Sequence, residues 1–244
     1  GKAPGLINTD ADRERLLRGE GMDTVVTLPF DEALRAMPWQ DFFRLLTEHF
    51  NAGGIVCGED FRFGYRGEGN GSKLKAACEN AGIPCVIVPQ QRLGDTVVSS
   101  THIRALLEQG EMEKAVEFLG HPHILSGEVV SGRHIGRTIG IPTANLLLPE
   151  GLLIPKFGVY ACLADIGGIK HLAVTNIGSR PTVNGHQVRA ESWLLDFAGD
   201  LYGKQITLEF HKFLREEKKF PDLAALRAEI QKNGEETRKF FGKN

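Results

Sequence analysis

The sequence lacks the features of several specialised protein classes. Its 244 residues include only 4 cysteines, none in a Cys-x-x-Cys pair, which argues against a disulfide framework. No apolar run approaches the roughly 18 residues of a transmembrane helix, and no signal peptide is visible at the N-terminus. The net charge of −2 gives no general attraction for nucleic acid or for an anionic membrane. These absences favour a cytoplasmic protein with reduced thiols.

The first half of the chain alternates short apolar runs with helical patterns. Thr24–Phe30 has the composition of a strand, and Asp31–Phe50 has apolar side chains at helical spacing. Gly54–Cys57 and Pro84–Val88 are further short apolar runs, with a helical pattern between them. Alternating strands and helices predict a parallel, doubly wound α/β sheet of the Rossmann type.

The second half of the chain has a different pattern, in which strand-like segments follow one another directly. This succession favours a small antiparallel barrel, and Leu223–Phe241 is typical of a closing amphipathic helix. The change of pattern at Gly120–His123 predicts two domains, 1–122 and 123–244. The strands predicted in the second domain are Ile124–Val130, Gly158–Ile166, Lys170–Asn176, Gln187–Phe197 and Lys204–Lys212.

A glycine-rich segment early in the second domain has the residue types of a phosphate site. No G-x-x-x-x-G-K-[ST] motif occurs, but backbone N–H groups in a glycine turn can hold a phosphate, and arginines add positive charge. An ordinary surface loop is the alternative. The turn residues are Gly132, Arg133, Gly136, Arg137 and Gly140.

Two polar residues follow this turn. Thr143 and Asn145 are two apart, so in extended backbone their side chains face the same side. Hydroxyl and amide oxygens are hard ligands that suit Mg²⁺. The alternative is that both side chains satisfy turn hydrogen bonds after Pro142.

A single carboxylate interrupts an apolar strand further along the chain. Glu191 shares a face with Trp193, and a carboxylate on such a face is costly unless it is paired. A partly desolvated glutamate can act as a general base. An ion pair with Arg189, or an edge position in water, is the alternative.

Two further groups of candidates lie in the first domain. Ser99, Ser100 and Thr101 open a helix, whose free N–H groups attract anions, and Arg104 follows on the face of Thr101. Simple helix capping is the alternative. Asp60, Phe61 and Phe63 follow a strand, at the end where ligands of open α/β sheets gather, unless the two phenylalanines are core residues of a packed turn.

The second domain contains, in chain order, the motifs GRTIGIPTAN, GVYAC, NIGSRPT, ESWLLDF, LYGKQITLEF and FLREEKKF. With these motifs it resembles the riboflavin kinase family. That family is a six-stranded antiparallel β-barrel with a C-terminal helix, and it transfers the γ-phosphoryl group of ATP to the 5′-hydroxyl of riboflavin.

The resemblance implies a function for each candidate residue of this domain. Thr143 and Asn145 would bind Mg²⁺ and the ATP phosphates, and Glu191 would take the proton from the riboflavin hydroxyl. The loops at 132–140 and 214–220 would close over ATP and flavin, with Arg215 near the flavin. The chain departs from the family at Asn233, where the family usually has an aspartate.

The first domain contains the segments CGEDFRFGYRGEG and VVSSTHIRALLEQGEMEKAVEFLG. With these segments it resembles the FMN adenylyltransferase module that precedes riboflavin kinase in bacterial bifunctional enzymes. The resemblance implies nucleotide or flavin contacts at the candidates named above, and formation of FAD from FMN and ATP. The family's His-x-x-His signature is absent, so adenylylation is expected of a longer parent protein and impaired in this chain. A non-catalytic flavin- or nucleotide-binding module is the alternative function.

Overall fold

The computed structural model describes residues 4–132, 135–182 and 185–242. Its contacts divide the chain into two compact units: Gly1–Val25 with Ser99–Asn244, called the barrel unit, and Val26–Val98, called the small unit. Within these residues no helix is long and apolar enough to cross a membrane. All four cysteines are free thiols, as the sequence predicted. The separation into domains at 122/123 stays a prediction.

Helices and short strands make up most of the first part of the chain, and longer strands follow. The α-helices are α1 (Asp10–Gly19), α2 (Glu32–Ala36), α3 (Trp39–Arg44), α4 (Gly71–Ala81), α5 (Ser100–Gln109), α6 (Met112–Leu119), α7 (Ile135–Thr138) and α8 (Leu223–Phe240). The first strands are β1 (Ile55–Gly58), β2 (Arg62–Phe63), β3 (Gly69–Asn70), β4 (Cys85–Val88), β5 (Arg92–Leu93) and β6 (Thr96–Val97). The remaining strands are β7 (His123–Val130), β8 (Ala144–Leu147), β9 (Gly158–Ile166), β10 (Ile169–Thr182), β11 (Gly185–Leu194) and β12 (Gln205–Arg215).

Six strands of the barrel unit form a closed antiparallel barrel in the order β10-β11-β8-β7-β12-β9. The predicted barrel is therefore confirmed. Ile206, Leu208 and Phe210 alternate along β12 and are almost completely buried, as their spacing predicted. The short strand β8 was not predicted, because its 4 residues follow a turn and give too little alternation to recognise.

The small unit contains the parallel pair β1 and β4, with Ile55 opposite Cys85. The prediction of a strand at Thr24–Phe30 is wrong, because this segment forms no strand in the structure. A strand requires a neighbouring strand with which its backbone groups can pair. The helix predicted over Asp31–Phe50 is divided at Pro38, since the residue before a proline avoids helical backbone, and Met37 is extended with ψ 124°.

Helix α8 lies against the barrel strands, and its start and length match the prediction. Asp222 caps it by accepting a hydrogen bond from the backbone N–H of Ala225 at 2.8 Å. Gly234 allows a close approach, because a Cβ atom there would lie 2.7 Å from the ring of Trp193. The helix therefore forms one wall of any space over this part of the barrel.

His123, at the start of β7, is fully buried beside Phe210, with 5.9 Å between the ring centroids. Neither ring nitrogen has a hydrogen-bond partner in the part of the chain that the structure describes. Burial, with a smaller contribution from His121, lowers the pKa of His123 from 6.5 to about 4. The imidazole is therefore neutral in the folded protein at pH values where the unfolded chain is already protonated.

We expect this histidine to destabilise the protein in acid. Because the folded state binds fewer protons than the unfolded state between pH 6.5 and about 4, the free energy of unfolding should fall across that window as pH falls. The loss attributable to His123 is about 3 kcal/mol at the low end. Urea unfolding at several pH values, with wild type and His123→Leu compared, measures it. Identical pH dependence in the two proteins would contradict the expectation.

Candidate active site

Two cavities adjoin in the barrel unit. The first, of about 250 Å³, lies between barrel strands and helix α8, and Glu191 and Trp193 are in its wall. The second, of about 240 Å³, has Arg137, Phe197 and Tyr202 in its wall. Thr143 lines both cavities, so the two spaces adjoin at this residue.

A row of residues crosses the barrel sheet along the first cavity. Asn145 on β8 lies directly opposite Glu191 on β11, and Glu191 lies directly opposite Asn176 on β10. The row continues from Asn176 to Val159 on β9 and from Val159 to Arg215 on β12. Directly opposed residues share a face of the sheet, so five strands place this set on one surface.

The sequence predicted that Thr143 and Asn145 would share a pocket with Glu191. Thr143 and Glu191 both line the first cavity. Asn145 lies beside that cavity and is 6% exposed, with its Nδ2 donating to the carbonyl of Thr143 at 3.4 Å. The three residues are therefore neighbours, but only two of them face the space itself.

Two glycines of the predicted phosphate turn are required by close packing. A Cβ atom on Gly136 would lie 2.1 Å from the carbonyl oxygen of Ile141, and one on Gly132 would lie 2.6 Å from the amide of Asn145. Gly136 thus lets the loop approach Ile141 and Thr143, and Gly132 lets it approach Asn145.

The rest of that turn departs partly from the prediction. One helical turn, α7, replaces the continuous loop that was expected. Arg137 stacks over the ring of Tyr202 at 5.4 Å and lines the second cavity. Gly140 follows α7 with φ +73°. Arg133 lies outside the described residues.

Arg215 also lines the first cavity. Its Nε donates to Oδ1 of Asn233 at 3.1 Å and lies 3.1 Å from Oε1 of Glu229. Burial lowers the pKa of Arg215 from its ordinary value, and Glu229 acts in the opposite direction. The guanidinium therefore stays charged in a partly desolvated position.

The segment after β12 covers this cavity. Phe220 lies under the guanidinium of Arg215, with 5.7 Å from Cζ to the ring centroid. Oε1 of Glu217 accepts a hydrogen bond from Nδ2 of Asn176 at 3.1 Å. The loop that the resemblance expected to close over flavin therefore contacts both the barrel and Arg215.

Some polar residues that line the cavities were not among the sequence candidates. Asn176 is the first residue of NIGSRPT, and its position opposite Glu191 depends on the register of two strands. Asn233 was noted only as a departure from the family. Tyr202, in LYGKQITLEF, lines the second cavity. The motifs contained the signal for Asn176 and Tyr202, but strand register and helix packing decide which side chains face the cavities.

At the start of α5, the structure shows the helix capping that was given as the alternative to anion binding. Ser99 Oγ accepts a hydrogen bond from the backbone N–H of His102 at 3.2 Å, and Ser100 and Thr101 form the first turn. Nε of Arg104 donates to the carbonyl of Gly5 at 2.8 Å. Phosphate binding by this group stays a prediction.

The candidates of the small unit lie in and beside its core. Phe63 is 6% exposed, stacks on Phe61 with 5.2 Å between centroids, and meets Trp39 edge-on. Asp60 is exposed in the turn after β1. Phe63 is therefore a core residue, as the alternative proposed, and ligand contacts by Asp60 and Phe61 stay a prediction.

Two family models match the chain. Residues 119–241 match the riboflavin kinase model, and residues 1–102 match the FAD synthetase model. The first match covers the whole barrel, both cavities and α8.

Curated relatives match nearly the whole chain. A bifunctional riboflavin kinase/FMN adenylyltransferase of Escherichia coli (strain K12) is 38% identical over 243 residues, which cover 99% of this chain and 77% of the relative. One of Listeria monocytogenes is 33% identical over 233 residues, covering 95% and 74%. The chain therefore spans about three quarters of the length of these relatives.

A solved structure shares the fold. A protein of Streptococcus pneumoniae titled a macrolide-efflux protein superposes with a TM-score of 0.84 at 32% identity, covering 95% of this chain and 75% of that one. Its title differs from the names of the sequence relatives, and the similarity concerns the arrangement of the chain.

Proposed function

Since the chain belongs to the bifunctional riboflavin kinase/FMN adenylyltransferase family, we propose that its barrel unit transfers the γ-phosphoryl group of ATP to the 5′-hydroxyl of riboflavin. The observation that carries the proposal is the position of Thr143 between two cavities, with Glu191 in the wall of the first. Such a pair of adjoining spaces suits a reaction that joins two bound substrates.

Riboflavin suits the first cavity in shape and polarity. The wall contains Val159, Val174 and Trp193, which suit a flat ring system, together with the polar side chains of Glu191 and Arg215. Glu191 and Arg215 are three strands apart in the row, which is at most about 14 Å along the curved sheet at about 4.8 Å per strand spacing. That length accommodates a ring near Arg215 with its hydroxylated chain directed toward Glu191.

ATP suits the second cavity. Arg137 supplies positive charge, and Phe197 and Tyr202 supply aromatic surface. The backbone around Gly136 borders the neighbouring cavity, where the terminal phosphate must arrive. With ATP in this position, its γ-phosphoryl group reaches the first cavity beside Thr143.

Glu191 is the proposed general base. In the step, the 5′-oxygen of riboflavin attacks the γ-phosphorus, the bond to the β–γ bridging oxygen breaks, and ADP leaves. The hydroxyl proton passes to the Glu191 carboxylate, which lies in the cavity wall among apolar groups such as Trp193. Positioning of the two oxygens in line with phosphorus supplies most of the remaining acceleration.

Thr143 and Asn145 fit a Mg²⁺ ion that arrives with ATP. Their hydroxyl and amide oxygens are hard ligands, and Nδ2 of Asn145 points to the Thr143 carbonyl, which leaves Oδ1 for the metal. Two protein oxygens suit an ion that keeps water and phosphate ligands. Held by these two residues, the ion would supply positive charge that neutralises the transferring phosphate.

FMN adenylylation is a second candidate function, because residues 1–102 match the FAD synthetase model. The absence of a His-x-x-His motif leads us to expect little FAD formation by this chain itself. Both activities fit the small-molecule partners and the cytoplasmic location that the sequence predicted.

The test is a turnover assay. Incubation of the protein with riboflavin, ATP and MgCl₂ should give FMN and ADP in equal amounts, measured by chromatography with fluorescence detection. FMN plus ATP in the same assay should give little FAD and pyrophosphate. Riboflavin binding without FMN formation, in a folded sample, would support the non-catalytic module instead.

A further inference from the structure

Asn233 is a buried amide in the wall of the first cavity. It is 1% exposed, and among the described residues of α8 it is the polar side chain in that wall, beside Leu226 and Ile230. The spacing of three and seven residues places it on the same helical face as these two apolar residues. A buried amide there is costly unless its donor and acceptor groups are satisfied.

Arg215 fixes the orientation of this amide. A guanidinium has only donors, so the atom of Asn233 that meets Nε of Arg215 at 3.1 Å must be the oxygen. Glu229 holds the same Nε at 3.1 Å and also holds Lys218 at 2.8 Å, which keeps Arg215 in place. The NH₂ group of Asn233 is thereby turned away from Arg215.

Among the described residues, the hydrogen bond of the Asn233 side chain is the one that its oxygen accepts from Arg215. Asn233 lines the cavity, and with its oxygen directed to Arg215 its NH₂ group is the part of the amide that remains to donate to a ligand. A ligand that fills the space must place an acceptor there to satisfy the amide.

We propose that Asn233 recognises the riboflavin ring by donating a hydrogen bond from Nδ2 to a ring carbonyl oxygen, and that Arg215 is a positioning residue which orients the amide. The proposal rests on the proposed function, because it places the isoalloxazine ring in the first cavity. The polar edge of that ring carries two carbonyl acceptors on either side of one N–H donor at N3. An amide in this orientation selects a carbonyl, whereas a carboxylate at position 233 would accept from N3–H.

The test compares riboflavin with 3-methylriboflavin, which keeps both carbonyls and lacks the N3 hydrogen. Dissociation constants are measured by flavin fluorescence without ATP, for wild type and for Asn233→Asp. Removing the N3 donor deprives the aspartate of its partner, whereas wild type keeps its own bond. The ratio of dissociation constants, methylated over unmethylated, should therefore be about 10-fold larger in Asn233→Asp than in wild type.

Two further variants complete the test. Arg215→Met releases the amide, which can then turn its oxygen to N3–H, so the ratio should rise as in Asn233→Asp. Lys232→Gln changes the preceding, solvent-exposed residue of α8 and should leave the ratio at the wild-type value. Should Asn233→Asp not fold, Asn233→Leu replaces it, with an expected loss of about 10-fold in riboflavin affinity.

The outcomes separate this inference from the function itself. An unchanged ratio in Asn233→Asp overturns the donor assignment, and an unchanged ratio in Arg215→Met overturns the positioning role. If wild type forms FMN while either ratio is unchanged, the kinase proposal stands and this one fails. If wild type neither binds nor phosphorylates riboflavin, both fall.

Discussion

Replacement of Glu191 by glutamine should lower kcat for FMN formation by about 10²–10⁴-fold, the usual contribution of a general base. Glutamine has nearly the same size and can occupy the same position opposite Asn145 and Asn176, so the walls of both cavities should be preserved. It cannot take up the hydroxyl proton. Affinities for riboflavin and for ATP should therefore stay near the wild-type values. Steady-state kinetics gives kcat, and fluorescence titration gives the riboflavin affinity.

A matched control is available on the same barrel. Glu209 on β12 is another partly buried glutamate on a strand, but it pairs with Lys170 at 2.8 Å and is not part of either cavity wall. Glu209→Gln should keep kcat. A Glu191→Gln protein that turns over at the wild-type rate would remove Glu191 from the base role.

Replacement of Gly136 by alanine should reduce kcat/KM for ATP by at least about 10²-fold, because misplacement of a catalytic group by 1 Å can cost that much. The new methyl group would lie 2.1 Å from the carbonyl oxygen of Ile141, and this backbone cannot yield without moving the segment that leads to Thr143. The substitution adds no charge and touches no proton-transfer group. The loss should therefore come from misplaced phosphate-binding groups and appear in initial-rate kinetics with ATP varied.

Gly127 on β7 provides the comparison. A Cβ atom there would meet its nearest neighbour, a side-chain atom of Leu146, at 3.5 Å, an ordinary contact distance. Gly127→Ala should leave kcat/KM for ATP close to wild type, which isolates the effect of the crowded position. Unchanged ATP kinetics in Gly136→Ala would show that the approach of this loop to Ile141 is dispensable.

The parts of the fold that follow from local alternation could be predicted from sequence. Ile206, Leu208 and Phe210 alternate with polar residues, so β12 and its buried face were predictable. Thr24–Phe30 has equally strand-like composition and forms no strand, because pairing depends on a partner that composition does not reveal.

The candidate site divides in the same way. Thr143 and Glu191 were predictable as cavity residues, because the motifs contain both and the cost of burying a carboxylate singles out Glu191. Asn145 lies beside the cavity because its strand register places it under the loop at Gly132. Asn233 could not be assigned, since the effect of an amide in a helix depends on the orientation that a distant arginine gives it. Strand register and side-chain orientation depend on residues that are distant in the sequence, so a local residue pattern does not predict them.

The closed barrel that contains Asn145, Glu191 and Asn176 has a consequence for the order in which the protein unfolds. These residues belong to a sheet that closes on itself, so the described strands leave no free edge at which fraying can begin. Phe220 and Glu217, in contrast, belong to a connecting segment, whose opening requires no strand to separate. Mild heat or denaturant should therefore open the first cavity at this segment before it separates the strands that hold Glu191 in place.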